Sequence, residues 1–540
     1  MPERELLAPA PEIDWGTLSW WQSLRRCREL SIVTLVCLLD YLLRAVGEQY
    51  SYRTTGYDLG IFDQAVRAYA HFQAPMVPLK GPGYNIFADH FHPIIAVLSP
   101  LYWIWDSPYV LVVAQAFLIA AATPVLYRFA RRHRFSSGFA LLLCLAYGLG
   151  WPVQALIDFD FHEVAFATPL LAFALDALDR RRDRALIVWS VLLFFVREDM
   201  GIVVALIAIL RLLRDLPVPT RQLRALPARA RQLRDAPAGL DRARLRVGGG
   251  LLVAGVLAYW VSTSVIIPHF AHGGQFAYGG QFDSLGDSVG QAAINSLKEP
   301  WKPLKLLFSP KTKFTTLLYL LLPFLFLSLR SRYSLLALPL LAERFLNSRG
   351  NLWQPHFHYN ALPWLIFTFA FVDAADRLGL TSAARWALLS RRVLGGWLVV
   401  FPVLLIVNPD AGGPTPPTTG RDHVLFKISP HVRDEMATVT FLPANVCIEA
   451  TNTLVPHLTA RDYVSLPLVQ DWTADFIALD LSANDVGGNP PAPKPAAVRR
   501  QALDHGYTQV FAAGTMAVFR SPDYTGPSKA CEPLGRGRAG

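Results

Sequence analysis

Residues 185–214 read ALIVWSVLLFFVREDMGIVVALIAILRLLR, and the fold turns on how this stretch sits in a bilayer. Arg180, Arg181, Arg182 and Arg184 precede it, and the loop that follows, to about residue 247, carries ten arginines counted from Arg211. Basic flanks mark the cytoplasmic side, so the chain has to cross an even number of times between them. Two crossings of about 14 residues at 1.5 Å per residue cover about 21 Å of a hydrocarbon core roughly 30 Å thick. The tip, Arg197-Glu198-Asp199, is therefore expected below the outer surface in a water-filled recess. Three adjacent charges at that depth are too costly to face lipid.

The rest of the chain fits a polytopic membrane protein. Of its 540 residues 52% are hydrophobic and 17% charged, which is outside the usual range of one soluble domain. Five cysteines are too few for a disulfide scaffold. A net charge of +10 would suit nucleic acid, but the arginines fall in short blocks between apolar runs, so no nucleic-acid partner is expected. Apolar runs at 29–47, 108–129, 138–157, 164–179, 249–267, 314–330, 333–347, 361–376 and 393–409, with the pair within 185–214, predict about eleven crossings. The run at 93–105 is too short to span comfortably and reads as a re-entrant or interfacial helix starting at Pro93. No small-x-small cleavage site follows the first run, which is expected to stay as an anchor.

This gives a cytoplasmic segment 1–28, an all-α transmembrane domain 29–409 with outer loops 48–107, 157–163, 268–313 and 347–360, and a plasma-membrane location with the N-terminus inside. Residues 410–540 change character. Apolar pieces at Val446–Ala450, Asp475–Leu479, Thr508–Ala512 and Ala517–Arg520 alternate with helical ones, predicting a small extracytoplasmic α/β domain. Residues 485–497 read as loop, and Cys447 and Cys531 are either a disulfide or two free thiols.

On this topology the acidic and imidazole residues gather outside. Tyr57, Asp58 and Asp63 lie in the first outer loop, Asp89, His90 and His92 late in it, and Asp158, Asp160, His162 and Glu163 in the second. Arg197, Glu198 and Asp199 mark the sunken tip, His269 follows a later run, and His356, His358 and Tyr359 precede the next-to-last. Each has a plain alternative. Asp58 suits a helix N-cap, Asp89 to His92 suit a helix start before Pro93, the Asp158/Asp160 pair suits an ordinary polar loop, and Arg197 and Glu198 can neutralise each other. The functional readings are an acidic pair able to hold Mg²⁺ or Mn²⁺ and a forked guanidinium for phosphate. Lys298, Lys302, Lys305, Lys311 and Lys313 offer either headgroup contact or a path for lipid phosphate.

The motifs Tyr57-Asp58-Leu59-Gly60-Ile61-Phe62-Asp63, Asp89-His90-Phe91-His92-Pro93, Asp160-Phe161-His162-Glu163, Arg197-Glu198-Asp199, Ile267-Pro268-His269-Phe270 and His358-Tyr359 resemble, in order, a family of predicted prokaryotic membrane proteins of unassigned activity grouped with the GT-C glycosyltransferases. The likeness covers about residues 50–375, and Asn452 to Leu458 with Arg461 look similar, more loosely, to an outer appendage of the same family. The resemblance implies transfer of a sugar from a polyprenyl-phosphate carrier to an envelope acceptor. Asp58 would be the general base, and Asp158 and Asp160 the second-loop acidic pair, for which a metal is permitted and not required. Arg197, His358 and Lys305 would meet the donor phosphate. Two rivals stand beside this reading: a transporter or flippase using the intramembrane charges, and a non-catalytic envelope scaffold, for which the acidic clusters would be scattered.

Overall fold

A computed structural model describes residues 19–213, 242–381, 395–396, 426 and 428–526, except 272, 275–277, 279–280, 283, 287–288, 356, 468–472 and 489–491. The chain is mostly helical with one small sheet near its C-terminus. The 185–214 stretch folds as two arms, Asp183–Phe194 and Met200–Leu213, of 12 and 14 residues, with the charged tip between them. The second arm lies tight against Arg242–Val261. A methyl group on Gly201 would sit 2.6 Å from the Gly255 carbonyl, and one on Gly255 2.5 Å from that of Gly201, so only glycine permits this crossing.

The expected eleven crossings are not what the helices provide. Among the described residues three are long and apolar enough to cross a membrane: Arg28–Tyr50, Tyr109–Arg132 and Leu245–Phe270. A fourth is gained if Ser137–Gly148 and Trp151–Ile157, bent by 45° at Gly150 and Pro152, count as one span. Apolar composition had been equated with an unbroken helix, and proline breaks that equation. The 314–330 run ends its helix at Leu321, passes Pro323 and turns through left-handed Leu325 and Phe326. The 333–347 run yields only Ala337–Phe345 as regular helix. The run at 393–409 lies outside the described residues but for 395–396, as does the basic loop at 214–241. Ala361–Arg377 is buried from Ala361 to Ala375 and forms the centre of the helical core.

The C-terminal domain is the expected α/β unit. Its strands are β1 (Cys447–Ala450), β2 (Tyr463–Ser465), β3 (Phe476–Asp480), β4 (Thr508–Ala513) and β5 (Met516–Arg520), in the order β2-β1-β3-β5-β4. β1 runs parallel to β2 and β3, while β5 is antiparallel to β3 and β4. Four of the strands match the sequence expectation; three-residue β2 is too short to leave a pattern. Helix Pro495–Asp504 begins inside the segment read as loop. Cys447 is disulfide-bonded, and Cys531 lies outside the described residues.

This domain is docked on the first long loop. Asn452 accepts from the backbone N–H of Gly56 through its carbonyl and from that of Tyr57 through its side chain, both at 2.8 Å. Gln64 donates to the Val464 carbonyl at 2.8 Å. Val455 presses so closely on Gly56 that a methyl group there would lie 2.5 Å from the Val455 Cβ. The loosely similar appendage motif is thus the contact that seats the Tyr57-Asp58 turn.

Candidate functional site

Asp58 lies in a single wide turn of π-type helix, Gly56–Gly60, that leads into Ile61–Ala70. Such turns cost regular hydrogen bonding and recur where a side chain has to be aimed. The carboxylate does not cap the helix. One oxygen lies 3.5 Å from His162 Nε2 and the other 3.3 Å from the Thr55 hydroxyl, and the side chain is 32% exposed. It opens onto a cavity of about 650 Å³.

Residues far apart in sequence share that cavity. Tyr57, Asp58, Asp89, His90, His92, His162, Glu163, Arg197, Glu198, Asp199, His358 and Tyr359 all line it. Much of the remaining wall is apolar, including Phe159, Ile202, Phe282, Leu285, Leu340, Leu352 and Leu362. His269 and Lys305 are exposed and do not line the cavity, and His356 lies outside the described residues.

Most of the charge is matched. Arg197 holds Asp199 with two bonds, at 2.9 and 2.6 Å, and reaches Glu163 at 3.3 Å. The guanidinium expected to meet a phosphate is thus engaged by this chain's own carboxylates. His90 Nδ1 meets Glu198 at 2.7 Å, and the second Glu198 oxygen accepts from the Phe91 N–H at 3.1 Å. Burial disfavours the imidazolium, but Glu198 and Asp89 outweigh it and raise His90 to about 9. Asp89 is itself bonded by Lys80 and the Tyr278 hydroxyl. Burial alone would raise its pKa; Lys80 and His90 instead hold it below the usual carboxylate range.

The second acidic motif divides. Asp158 turns away from the cavity to Arg44, at 3.2 Å. Asp160, with left-handed φ of 63°, accepts from the Thr55 N–H at 2.9 Å and the Thr55 hydroxyl at 2.8 Å. Burial and the neighbouring Asp58 push Asp160 up to about 7. With these two carboxylates on different partners, no group of three His, Cys, Asp or Glu among the described residues is suited to a metal ion. The Asp158/Asp160 pair does not fit as a Mg²⁺ or Mn²⁺ site, and no step is routed through one.

Behind Asp58 the imidazoles stack. The His162 and His358 rings are 3.8 Å apart. Burial opposes protonating His162, yet Asp58 beside it raises its pKa, whereas burial and the adjacent positive charge of His162 and Arg197 hold His358 well below the ordinary value. Glu163, which burial would raise, is lowered by Arg197 and the nearby imidazoles. Asp63 plays no part in the cavity: it is fully buried against Arg67 at 3.0 Å and the Tyr102 hydroxyl at 2.7 Å.

Sequence reading missed four contributors: Lys80, Tyr278, Arg344 and Arg349. The signal for Arg344 was present, since Glu343-Arg344 interrupts an apolar run.

The helices long enough to span and the charged, partly apolar chamber define a polytopic membrane protein with an internal polar site. Residues 48–502 match the family model described as "Predicted membrane protein (DUF2079)", and the chain belongs to that family. No curated protein matches it.

Proposed function

We propose that the protein is a membrane glycosyltransferase that moves a sugar from a polyprenyl-phosphate donor to an envelope glycan, lipid or protein acceptor. Asp58 takes the proton of the acceptor hydroxyl as its oxygen attacks the anomeric carbon. The bond from that carbon to the phosphate oxygen breaks, and polyprenyl phosphate leaves with the electron pair. A carboxylate near the attacking oxygen lowers the barrier by general base catalysis, typically about 10²–10⁴-fold. His162, 3.5 Å from Asp58, orients the carboxylate.

The observation that carries this reading is convergence. Asp58, from the first loop, and the tip at 197–199 line one chamber whose wall also carries apolar residues such as Phe159, Ile202, Leu340 and Leu362, as suits a substrate with a charged head and a prenyl tail. The GT-C likeness of the ordered motifs supplies the reaction class. The same reading puts the N-terminus in the cytoplasm and the C-terminal domain outside, which alkaline-phosphatase fusions at residues 28 and 526 test. The activity test is transfer from a polyprenyl-phosphate-sugar pool by the reconstituted protein. Asp58→Asn is expected to abolish transfer, and unchanged transfer would remove the assignment.

A further inference from the structure

Within the cavity Lys80 pairs with Asp89, His90 with Glu198, and Arg197 with both Asp199 and Glu163. Two guanidiniums in its wall stand outside these pairs. Arg344, only 5% exposed, donates Nε to the Leu340 carbonyl at 2.7 Å and Nη1 to the Asn360 side chain at 3.2 Å. Its Nη2 has no hydrogen-bond partner among the described residues. Arg349 is half-buried and lies 5.8 Å from the Tyr278 ring centre. No carboxylate among the described residues is within ion-pair distance of either. Glu343 also lines the cavity and its charge acts on Arg344, but adjacent residues on a helix point to different faces and no ion pair joins the two.

Buried arginines elsewhere have a carboxylate partner: Arg67 has Asp63, Arg128 has Asp176 and Arg211 has Asp183. Burying a guanidinium without one is unfavourable unless something else completes it. Arg344 lines the cavity with no such partner among the described residues.

We infer that Arg344 and Arg349 form an oxyanion subsite that takes the phosphate of a phosphoester ligand. A tetrahedral phosphate carries more charge than a carboxylate and offers acceptors in several directions, so it suits two forked guanidiniums. Leu340, Leu346, Leu352 and Leu362 line the same wall and suit an apolar tail. Asn360, which holds Arg344, shares a helical turn with His358, the ring stacked on His162 behind Asp58. The inference rests on reading the cavity as a substrate chamber, and it assigns the phosphate to Arg344 and Arg349 in place of Arg197, which this chain's own carboxylates engage.

The test is equilibrium binding of farnesyl phosphate, farnesol and inorganic phosphate to the full-length protein in detergent, with thermal unfolding run alongside. Arg344→Gln and Arg349→Gln are each expected to weaken farnesyl phosphate by about tenfold or more while leaving farnesol unchanged, with partial recovery in Arg344→Lys. Lys305→Gln is expected to bind like the wild type. Competition by inorganic phosphate that depends on Arg344 supports the subsite and identifies free phosphate as a ligand; Arg344-dependent binding of the lipid phosphate alone supports it with a lipid source. Unchanged farnesyl phosphate binding in folded Arg344→Gln overturns the inference. If that variant does not fold, Arg349→Gln decides in the same way. Normal phosphate binding by Arg344→Gln together with loss of transfer in Asp58→Asn overturns the subsite and keeps the transferase; the converse pattern overturns the transferase and keeps the subsite.

Discussion

The helix Val164–Asp179 joins two charged regions of opposite character, about 24 Å apart at 1.5 Å per residue over its 16 residues. At its C-terminal end Asp176 meets Arg128 at 2.6 Å, Arg132 at 2.7 Å and Arg180 at 3.3 Å. Asp179 adds Arg132 and His133, and Asp376 ties His133 and Arg134 from the central helix. At its N-terminal end Glu163 opens the cavity, where Asp58 is about one-third exposed and Arg344 keeps an unused donor. The residue types are the same at both ends. What separates the ends is whether each arginine has a carboxylate: Arg128, Arg132 and Arg180 share Asp176, while Arg344 is in no ion pair among the described residues.

That contrast can be broken by measurement. The largest expected effect on stability is at the saturated end: Asp176→Ala strands buried guanidiniums and should cost about 3–5 kcal/mol, seen as loss of the folded peak in detergent size exclusion. Asp58→Asn, by comparison, should change stability by less than about 1 kcal/mol while removing activity. If the stability losses are reversed, the comparison fails. Next is Gly56→Ala, whose methyl group collides with Val455. Overpacking of this kind costs about 1–3 kcal/mol, and thermal unfolding together with transfer assays should show both stability and activity falling.

A smaller effect is a pH dependence confined to the cavity. The folded pKa of His90 is raised from 6.5 to about 9, so the stabilisation from its pair with Glu198 is complete below pH 6.5 and lost as pH rises through about 9. Unfolding temperature should fall across that window, by the equivalent of about 2 kcal/mol after allowing for solvent screening, and His90→Gln should flatten the slope. The smallest effect is expected for Lys305→Ala, on an exposed helix away from the cavity: within about 0.5 kcal/mol in stability, and no change in transfer.

The break of 185–214 into two short arms was legible because Arg197, Glu198 and Asp199 interrupt two apolar runs of about 14 residues. The gathering of Asp58, His162 and Arg197 followed from ordered motifs on one side of the expected topology. The number of spans was not legible. Pro152, Pro323 and Pro339 lie inside apolar runs, and hydropathy alone does not register where proline stops a helix. The fate of Asp158 was hidden too, because its partner Arg44 sits in the first span, 114 residues earlier. Arg344 was overlooked for a related reason. A charge within an apolar segment reads as an imperfection until its neighbours show that nothing neutralises it.

The seating of Gly56 and Tyr57 on Asn452 has a consequence for biosynthesis. Tyr57 and Asn452 are 395 residues apart, and ribosomes add about 5–20 residues per second, so for tens of seconds the nascent chain carries Asp58 without the clamp that orients it. The Tyr57-Asp58 turn should then be seated late, only once the C-terminal domain has emerged and docked on the first loop, and a truncation upstream of 452 would leave that turn without its clamp.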